Sequence, residues 1–452
     1  MNLNPPIPRL ERLRRQGPAR PRSAPDRDRR SDDDGRPLDR STANRTPVKS
    51  QSGALRRESH QADYVILVVV VALSAIGILM VYSSSALKGY LSQNADTFAT
   101  VGPQIQWAIL GFIAMAAMMR VDYRYLRLAS VPMYIVAIAL LVLVFVPALN
   151  IEVGGSARWL KLPALPAIHP AEFAKLALVV YLAHWFAKRG KDIRGFWGGT
   201  VPFLVIVLPV IALVFKEPDL GTTMVITLTA FTMFFVAGAN LIHLAVMVSG
   251  AAMAMLTVGL RGYQLDRIRV WQDPWLDRLG DGFHTVQGLL ALGAGGLFGT
   301  GLGESKVFVP NAFNDFIFAE VGQEFGMIGA IVVITLFLLL AYSGVRVALT
   351  APDTFGALLA AGITAWICLQ AFINIGVVVA LLPITGITLP FISAGGSSLI
   401  ISFAAVGILL SISRETVDKG TWNDDATSDR GRRDGRAYLP GARRSVFTSR
   451  GS

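Results

Sequence analysis

Across 452 residues the chain has one cysteine, Cys368, and five histidines, and only 16% of it is charged. A single cysteine cannot close an internal disulfide, so a disulfide-stapled scaffold is excluded. No His/Cys cluster has zinc spacing, and HExxH, GxSxG and Walker motifs are all missing. Metal-hydrolase, serine-hydrolase and ATP-driven pump readings therefore have no sequence support. No short apolar stretch lies near the start; the first begins only at Tyr64, so a cleaved signal peptide is not expected. The balance of a soluble chain is also lacking. Apolar and aromatic residues make up 53% of the sequence and the mean hydropathy is +0.50, well above what an ordinary water-exposed protein can carry.

What is there instead is a series of apolar runs, at 64–82, 104–119, 129–148, 171–187, 200–215, 220–238, 242–260, 323–343, 355–380 and 397–413. Their lengths predict an all-α polytopic membrane protein of about ten transmembrane helices, with a large extracytoplasmic loop, 261–314, between spans seven and eight. Three regions follow: a disordered basic tail over 1–62, a membrane domain over 63–413 and a second basic tail over 414–452. The first tail holds 15 Lys+Arg against 8 Asp+Glu and the second 9 against 6, so the tails carry most of the formal +11. Basic segments beside membrane spans point to cytoplasmic retention and anionic lipid, and no nucleic-acid partner is expected. An even number of spans puts both termini on one side, and the basic tails and short loops make that side the cytoplasm. The loops with Arg120, Arg124 and Arg127 and with Lys188, Arg189, Lys191 and Arg194 then fall on the same side, as positive charge requires. The glycine-rich run Gly293–Gly303 has no strand before it and lies on the outer side, which argues against a nucleotide loop.

Ionisable groups at membrane depth cost about 2.5–3.5 kcal/mol each on insertion scales, so each needs a partner or a task. Glu172 and Lys175 stand three residues apart on one helical face and can pair, either as a packing device or within a site. Lys216-Glu217-Pro218-Asp219 crowds three charges around a proline; Asp219 can cap the following helix or serve as a functional carboxylate. Asp315, between Asn314 and a strongly apolar run, reads equally as a helix N-cap and as a partly desolvated general base. The segment Leu381 to Ser398 breaks a helix with two prolines, three glycines and several hydroxyls, a pattern tolerated at this depth where it lines a polar cavity.

Taken together, these segments resemble the SEDS family of membrane glycosyltransferases, the FtsW/RodA/SpoVE group. The resemblance rests on Val81-Tyr82-Ser83-Ser84-Ser85, Gly155 to Trp159, Pro170 to Lys175, Glu217 to Gly221, Asp315 to Ala319 with Glu324-Phe325-Gly326, Asn374, and Leu389 to Ser398. It implies a polymerase of lipid II, the undecaprenyl-pyrophosphate-linked precursor of peptidoglycan. The essential aspartate falls on Asp315. Asp219, Glu172, Lys175, Arg158, Glu217, Lys306, Gln287, Ser393, Gly395, Ser397 and Ser398 are implied as substrate-binding or supporting residues. Trp271 to Trp275, Gly301 to Ser305 and Gly386 to Ser398 look closer to the division branch than to the elongation branch, which places the protein at the septum. The implied partners are a class B penicillin-binding protein and other division proteins. Departures from the pattern include Glu217 where glutamine is usual, Gln323-Glu324 for a Glu-Glu pair, Ala394 for a tyrosine, Asn311 and Phe313-Asn314, and a shortened loop around Lys306.

The implied reaction is attack by a GlcNAc 4-hydroxyl on the anomeric carbon of a MurNAc pyrophosphate, inverting an α-linked donor to a β-1,4 product. It needs one base at the acceptor and positive charge at the leaving group. Asp315 is the expected base. Lys175, Arg158 or a divalent cation such as Mg2+ or Mn2+ bridged by carboxylates would serve the pyrophosphate, and no covalently bound cofactor is expected. The competing readings are a lipid II flippase, a polymerase of the elongation type, and a scaffold of the division machinery.

Overall fold

With no water in the bilayer core to satisfy backbone N–H and C=O groups, long apolar runs close their hydrogen bonds internally as helices. The computed structural model describes residues 63–92, 97–153, 156–161, 167–259, 263–280, 282–310 and 312–415. The expected tail over 1–62, and the second tail from 416 on, lie outside the described residues. In chain order the elements are α1 (Tyr64–Ser92), α2 (Thr97–Arg120), α3 (Arg124–Leu143), β1 (Asn150–Val153), β2 (Ser156–Leu160), α4 (Pro170–Arg189), α5 (Val201–Lys216), α6 (Leu220–Val236), α7 (Leu241–Gly259), α8 (Tyr263–Gln272), α9 (Phe283–Gly295), α10 (Ile317–Thr350), α11 (Thr354–Val378) and α12 (Gly396–Ser413). Every expected span falls on one of these helices. Among the described residues seven segments are long and apolar enough by themselves to cross a membrane, and α6 and α7 contain shorter apolar stretches. The chain is a polytopic helical membrane protein.

Three features depart from the expectation. The segment 149–170, read as plain loop, carries an antiparallel hairpin in which Asn150 pairs with Leu160 and Ile151 with Trp159. The loop 261–314 is not featureless: α8 and α9 lie within it. The eighth span, expected over 323–343, begins at Ile317 and is broken at Gly326, whose φ of 67° and ψ of −163° no helix contains. That conformation is essentially reserved for glycine. A Cβ on Gly326 would lie 2.4 Å from the Gly299 nitrogen and 2.5 Å from the Leu297 oxygen. The glycine-rich run therefore serves close packing of backbone on backbone. Its backbone groups replace part of the missing helical ladder, with Gly301 N–H donating to Glu324 O at 3.1 Å and Gly296 O accepting from Met327 N–H at 2.9 Å.

α11 and α12 are the most enclosed of the spans, while α3 turns Leu128, Val131 and Ile135 outward along one face. An outward apolar stripe is what a lipid-facing helix requires. The two ends of the membrane domain meet: Asp63 N–H donates to Ser413 Oγ at 3.2 Å. At the same end, Arg124 pairs with Glu415 at 2.7 Å and Arg346 with Asp63 at 3.6 Å. The opposite end gathers the N-termini of α4, α6, α10 and α12, the C-terminus of α11 and the broken segment 380–395, and here the candidate site lies.

Candidate functional site

Asp315 precedes α10, but the helix takes Phe316 as its N-cap and uses no side chain there. Asp315 therefore stands one residue before the cap position, and its carboxylate accepts a hydrogen bond from its own backbone N–H. Its position is set through the backbone: Asn374 Nδ2, buried on α11, donates to Asp315 O at 2.8 Å and to Ile387 O at 2.7 Å. One amide thus ties the start of α10 to the segment between α11 and α12. A Cβ on Gly386 would lie 3.9 Å from Asp315 Oδ2, so the carboxylate faces this segment. Asp315 is half-buried, and desolvation pushes its pKa above the ordinary aspartate value. Its own backbone hydrogen bond, His284 on α9 and Arg267 on α8 pull the other way. Arg267 also donates to Ile384 O at 2.9 Å, which brings α8 onto the same segment.

Glu172 and Lys175 form the expected pair, at 2.9 Å, with both side chains buried. Lys175 also donates to Gln370 Oε1 at 2.6 Å and lies 5.2 Å from the Trp366 ring. Gln370 passes the connection on, donating to Thr388 O at 3.0 Å. Ser398 Oγ donates to Glu172 Oε2 at 3.1 Å, and Ser397 Oγ accepts from His169 N–H at 3.2 Å. The first turns of α4 and α12 are therefore joined by polar contacts. A charge at this depth is tolerated because it is paired and hydrogen-bonded.

Between α5 and α6, Asp219 caps α6 by accepting from Thr222 N–H at 3.0 Å. Its other oxygen lies 3.7 Å from His169 Nε2. The sequence offered capping and function as alternatives, but one carboxylate has an oxygen for each. Arg158, on β2, donates to Glu217 O at 3.3 Å and to Pro218 O at 2.6 Å, so the hairpin grips the turn. Glu217 is 1% exposed and neither carboxyl oxygen has a hydrogen-bond partner. Burial and the neighbouring Asp219 raise its pKa to about 8, with Arg158 opposing. Burial lowers that of His169 despite Asp219 and Glu172 nearby. Gly221 permits close packing here, since a Cβ would meet Thr385 O at 2.9 Å.

The remaining candidates divide. Ser393 Oγ accepts from Leu389 N–H at 2.8 Å and its carbonyl from Gln104 Nε2 at 3.4 Å, and Gly395 is the N-cap of α12. Both shape the broken segment. Gln287 is half-buried on α9, and Lys306 is exposed on the loop before α10. Beside that loop, Ser305 Oγ lies 3.0 Å from Glu320 Oε2 and 3.1 Å from Glu324 Oε1, and Ser83 on α1 also binds Glu324.

The sequence profile of the FtsW/RodA/SpoVE family, described as a cell cycle protein, matches residues 63–418. The chain belongs to the FtsW/RodA/SpoVE family. It is 41% identical over 359 residues to stage V sporulation protein E of Bacillus subtilis, covering 78% of this chain and 97% of that one. It is also 41% identical over 369 residues to a probable peptidoglycan glycosyltransferase FtsW of Geobacter metallireducens, covering 81% and 97%. Among solved structures it resembles the rod shape determining protein RodA of Thermus thermophilus, with TM-score 0.59, 27% identity, and coverage of 79% and 98%. A chain from a peptidoglycan synthase complex that coordinates polymerization and crosslinking matches with TM-score 0.65, 27% identity, and coverage of 78% and 98%.

Within this family member, several contacts at the site escaped the sequence reading, which had Asn374 only among the residues of the resemblance. Gln370 and Asn374 are spaced i, i+4 on α11, a polar pair in an otherwise apolar span, and that spacing was the available signal. Arg267 and His284 gave none, because their helices were read as loop. Among the described residues no group of three or more His, Cys, Asp and Glu side chains converges as a metal site.

Proposed function

We propose that the chain is a peptidoglycan glycosyltransferase that polymerises lipid II at the outer face of the membrane, with Asp315 as general base. The reading is supported by the family and by the names of relatives of nearly full-length match. The observation that carries it is the half-buried Asp315 carboxylate, which lies against Gly386 of the broken segment and is acted on by the charges of Arg267 and His284. In the reaction the GlcNAc 4-hydroxyl attacks MurNAc C1, its proton passes to Asp315, and undecaprenyl pyrophosphate departs with the electrons of the broken C1–O bond. A base whose pKa is raised toward neutrality accepts that proton more readily than an ordinary aspartate.

Cationic groups on the leaving-group side have separate roles. Arg158, at the hairpin, supplies positive charge toward the departing pyrophosphate. Lys175 is engaged by Glu172 and Gln370, so it supports the α4 to α12 contact. A divalent cation bridged by carboxylates, where one takes part, would supply Lewis-acid stabilisation of the departing pyrophosphate.

Both termini lie in the cytoplasm in this reading, because Arg120, Arg124, Arg127, Lys188, Arg189 and Arg194 belong to short loops of the termini-bearing end. Division at the septum is the reading favoured by the segments Trp271 to Trp275, Gly301 to Ser305 and Gly386 to Ser398. A class B penicillin-binding protein is the partner. The deciding experiment is a gel assay of the purified protein and partner with labelled lipid II. Glycan ladders support the reading; lipid II transfer across vesicles without polymer would favour a flippase.

A further inference from the structure

The turn between α5 and α6 holds an anomaly that the catalytic reading does not use. Glu217 is a carboxyl group 1% exposed with both oxygens unpartnered, in a structure where the neighbouring carboxylates have partners. Arg158 does not hydrogen-bond the carboxyl group: its guanidinium donates to the backbone carbonyls of Glu217 and Pro218 and keeps its charge. Lys216, the adjacent residue, turns away and lies 4.9 Å from the Phe145 ring. The remaining ionisable neighbours are Asp219 at the N-terminus of α6 and His169 before α4, and His169 faces Asp219 at 3.7 Å. An ionised, buried, unpaired carboxylate beside another carboxylate is doubly disfavoured, by desolvation and by like charge.

We infer that Glu217 works as a neutral carboxylic acid, so that the Arg158, His169, Glu217 and Asp219 cluster carries no net charge where an anionic diphosphate must approach. Asp219 then balances Arg158, while His169 and Glu217 are both uncharged. Ionisation of Glu217 would leave the cluster at net −1 and repel the diphosphate. Glu217 is thus a positioning residue, and its ionisation limits the enzyme on the alkaline side. The inference rests on the proposed glycosyltransferase reading for its kinetic consequence, but the protonation state itself does not.

The sign of the linkage gives an activity-independent readout. With its folded pKa raised to about 8, Glu217 holds a proton in the folded state that the unfolded chain has lost above its ordinary pKa. Stability from this group therefore falls as pH rises from about 4.5 through about 8. The test uses the full-length protein with its partner, comparing wild type with Glu217→Gln. Lipid II polymerisation is followed from about pH 6 to about pH 9.5, each profile normalised to its own neutral rate, together with thermal unfolding in detergent. The expected result is about a tenfold fall in wild-type kcat/KM near pH 9, carried by KM, that is absent in Glu217→Gln. The wild-type melting temperature should also fall with pH relative to the variant. Parallel pH profiles and parallel melting curves would overturn the inference. If no protein makes polymer at any pH, the glycosyltransferase reading fails, and the melting comparison still decides the state of Glu217. Should Glu217→Gln not fold, the melting comparison with Glu217→Leu decides: a wild-type melting temperature that falls with pH relative to that variant supports the inference, and parallel curves contradict it.

Discussion

The ammonium of Lys175 lies 2.9 Å from the carboxylate of Glu172, one turn away on α4, with both side chains buried. Removing one partner leaves the other uncompensated at membrane depth, which costs about 3–5 kcal/mol for a buried pair. Replacing both by apolar residues of similar volume removes the desolvation cost as well. Thermal unfolding in detergent should therefore rank Glu172→Leu and Lys175→Met as more damaging than the double variant. A double variant as unstable as the worse single one would contradict a structural pair and assign Glu172 or Lys175 a further task.

A second prediction concerns the break in α10. Gly326→Ala places a side chain in a backbone region essentially reserved for glycine, costing about 1–3 kcal/mol before any clash. The Cβ would also press on Gly299 and Leu297. The variant should lower the melting temperature and reduce activity together, because α10 carries Asp315 at its start. Unchanged stability would mean that the break relaxes and is not fixed by the glycine run.

Much of this architecture was readable from local pattern. Apolar runs gave the spans because a bilayer allows few alternatives, and the i, i+3 spacing of Glu172 and Lys175 gave their pairing. The proline and aspartate before Leu220 likewise marked the start and cap of α6. What could not be read depends on contacts distant in sequence. Lys175 meets Gln370 across 195 positions, and Asn374 holds the Asp315 carbonyl across 59. The short helices α8 and α9 were missed because neither has the length of a span, and reading 261–314 as loop hid that the charges of Arg267 and His284 act on Asp315. The even choice between cap and base at Asp315 had the same origin: a one-residue shift in helix start, to Phe316, is invisible in sequence.

Partner dependence follows from the proposed function, since nothing in the chain supplies a transpeptidase serine motif. Adding a cognate class B penicillin-binding protein to the purified polymerase should raise glycan synthesis well above that of the polymerase alone. Equal polymer with and without it, measured on the same labelled lipid II, would remove the partner from the account.

The central claim is that Asp315 takes the acceptor proton. Asp315→Asn keeps the side-chain size and leaves the Phe316 cap and the Asn374 bond to the backbone in place, so the protein should insert, fold and bind its partner normally. Loss of a general base costs typically about a hundred- to ten-thousand-fold in rate. The most direct measurement is the single-turnover rate of polymer formation from labelled lipid II by purified Asp315→Asn with its partner, beside wild type at equal melting temperature. A fall of at least about a hundredfold is the predicted result; a rate near that of wild type would contradict the account and move the base to another residue.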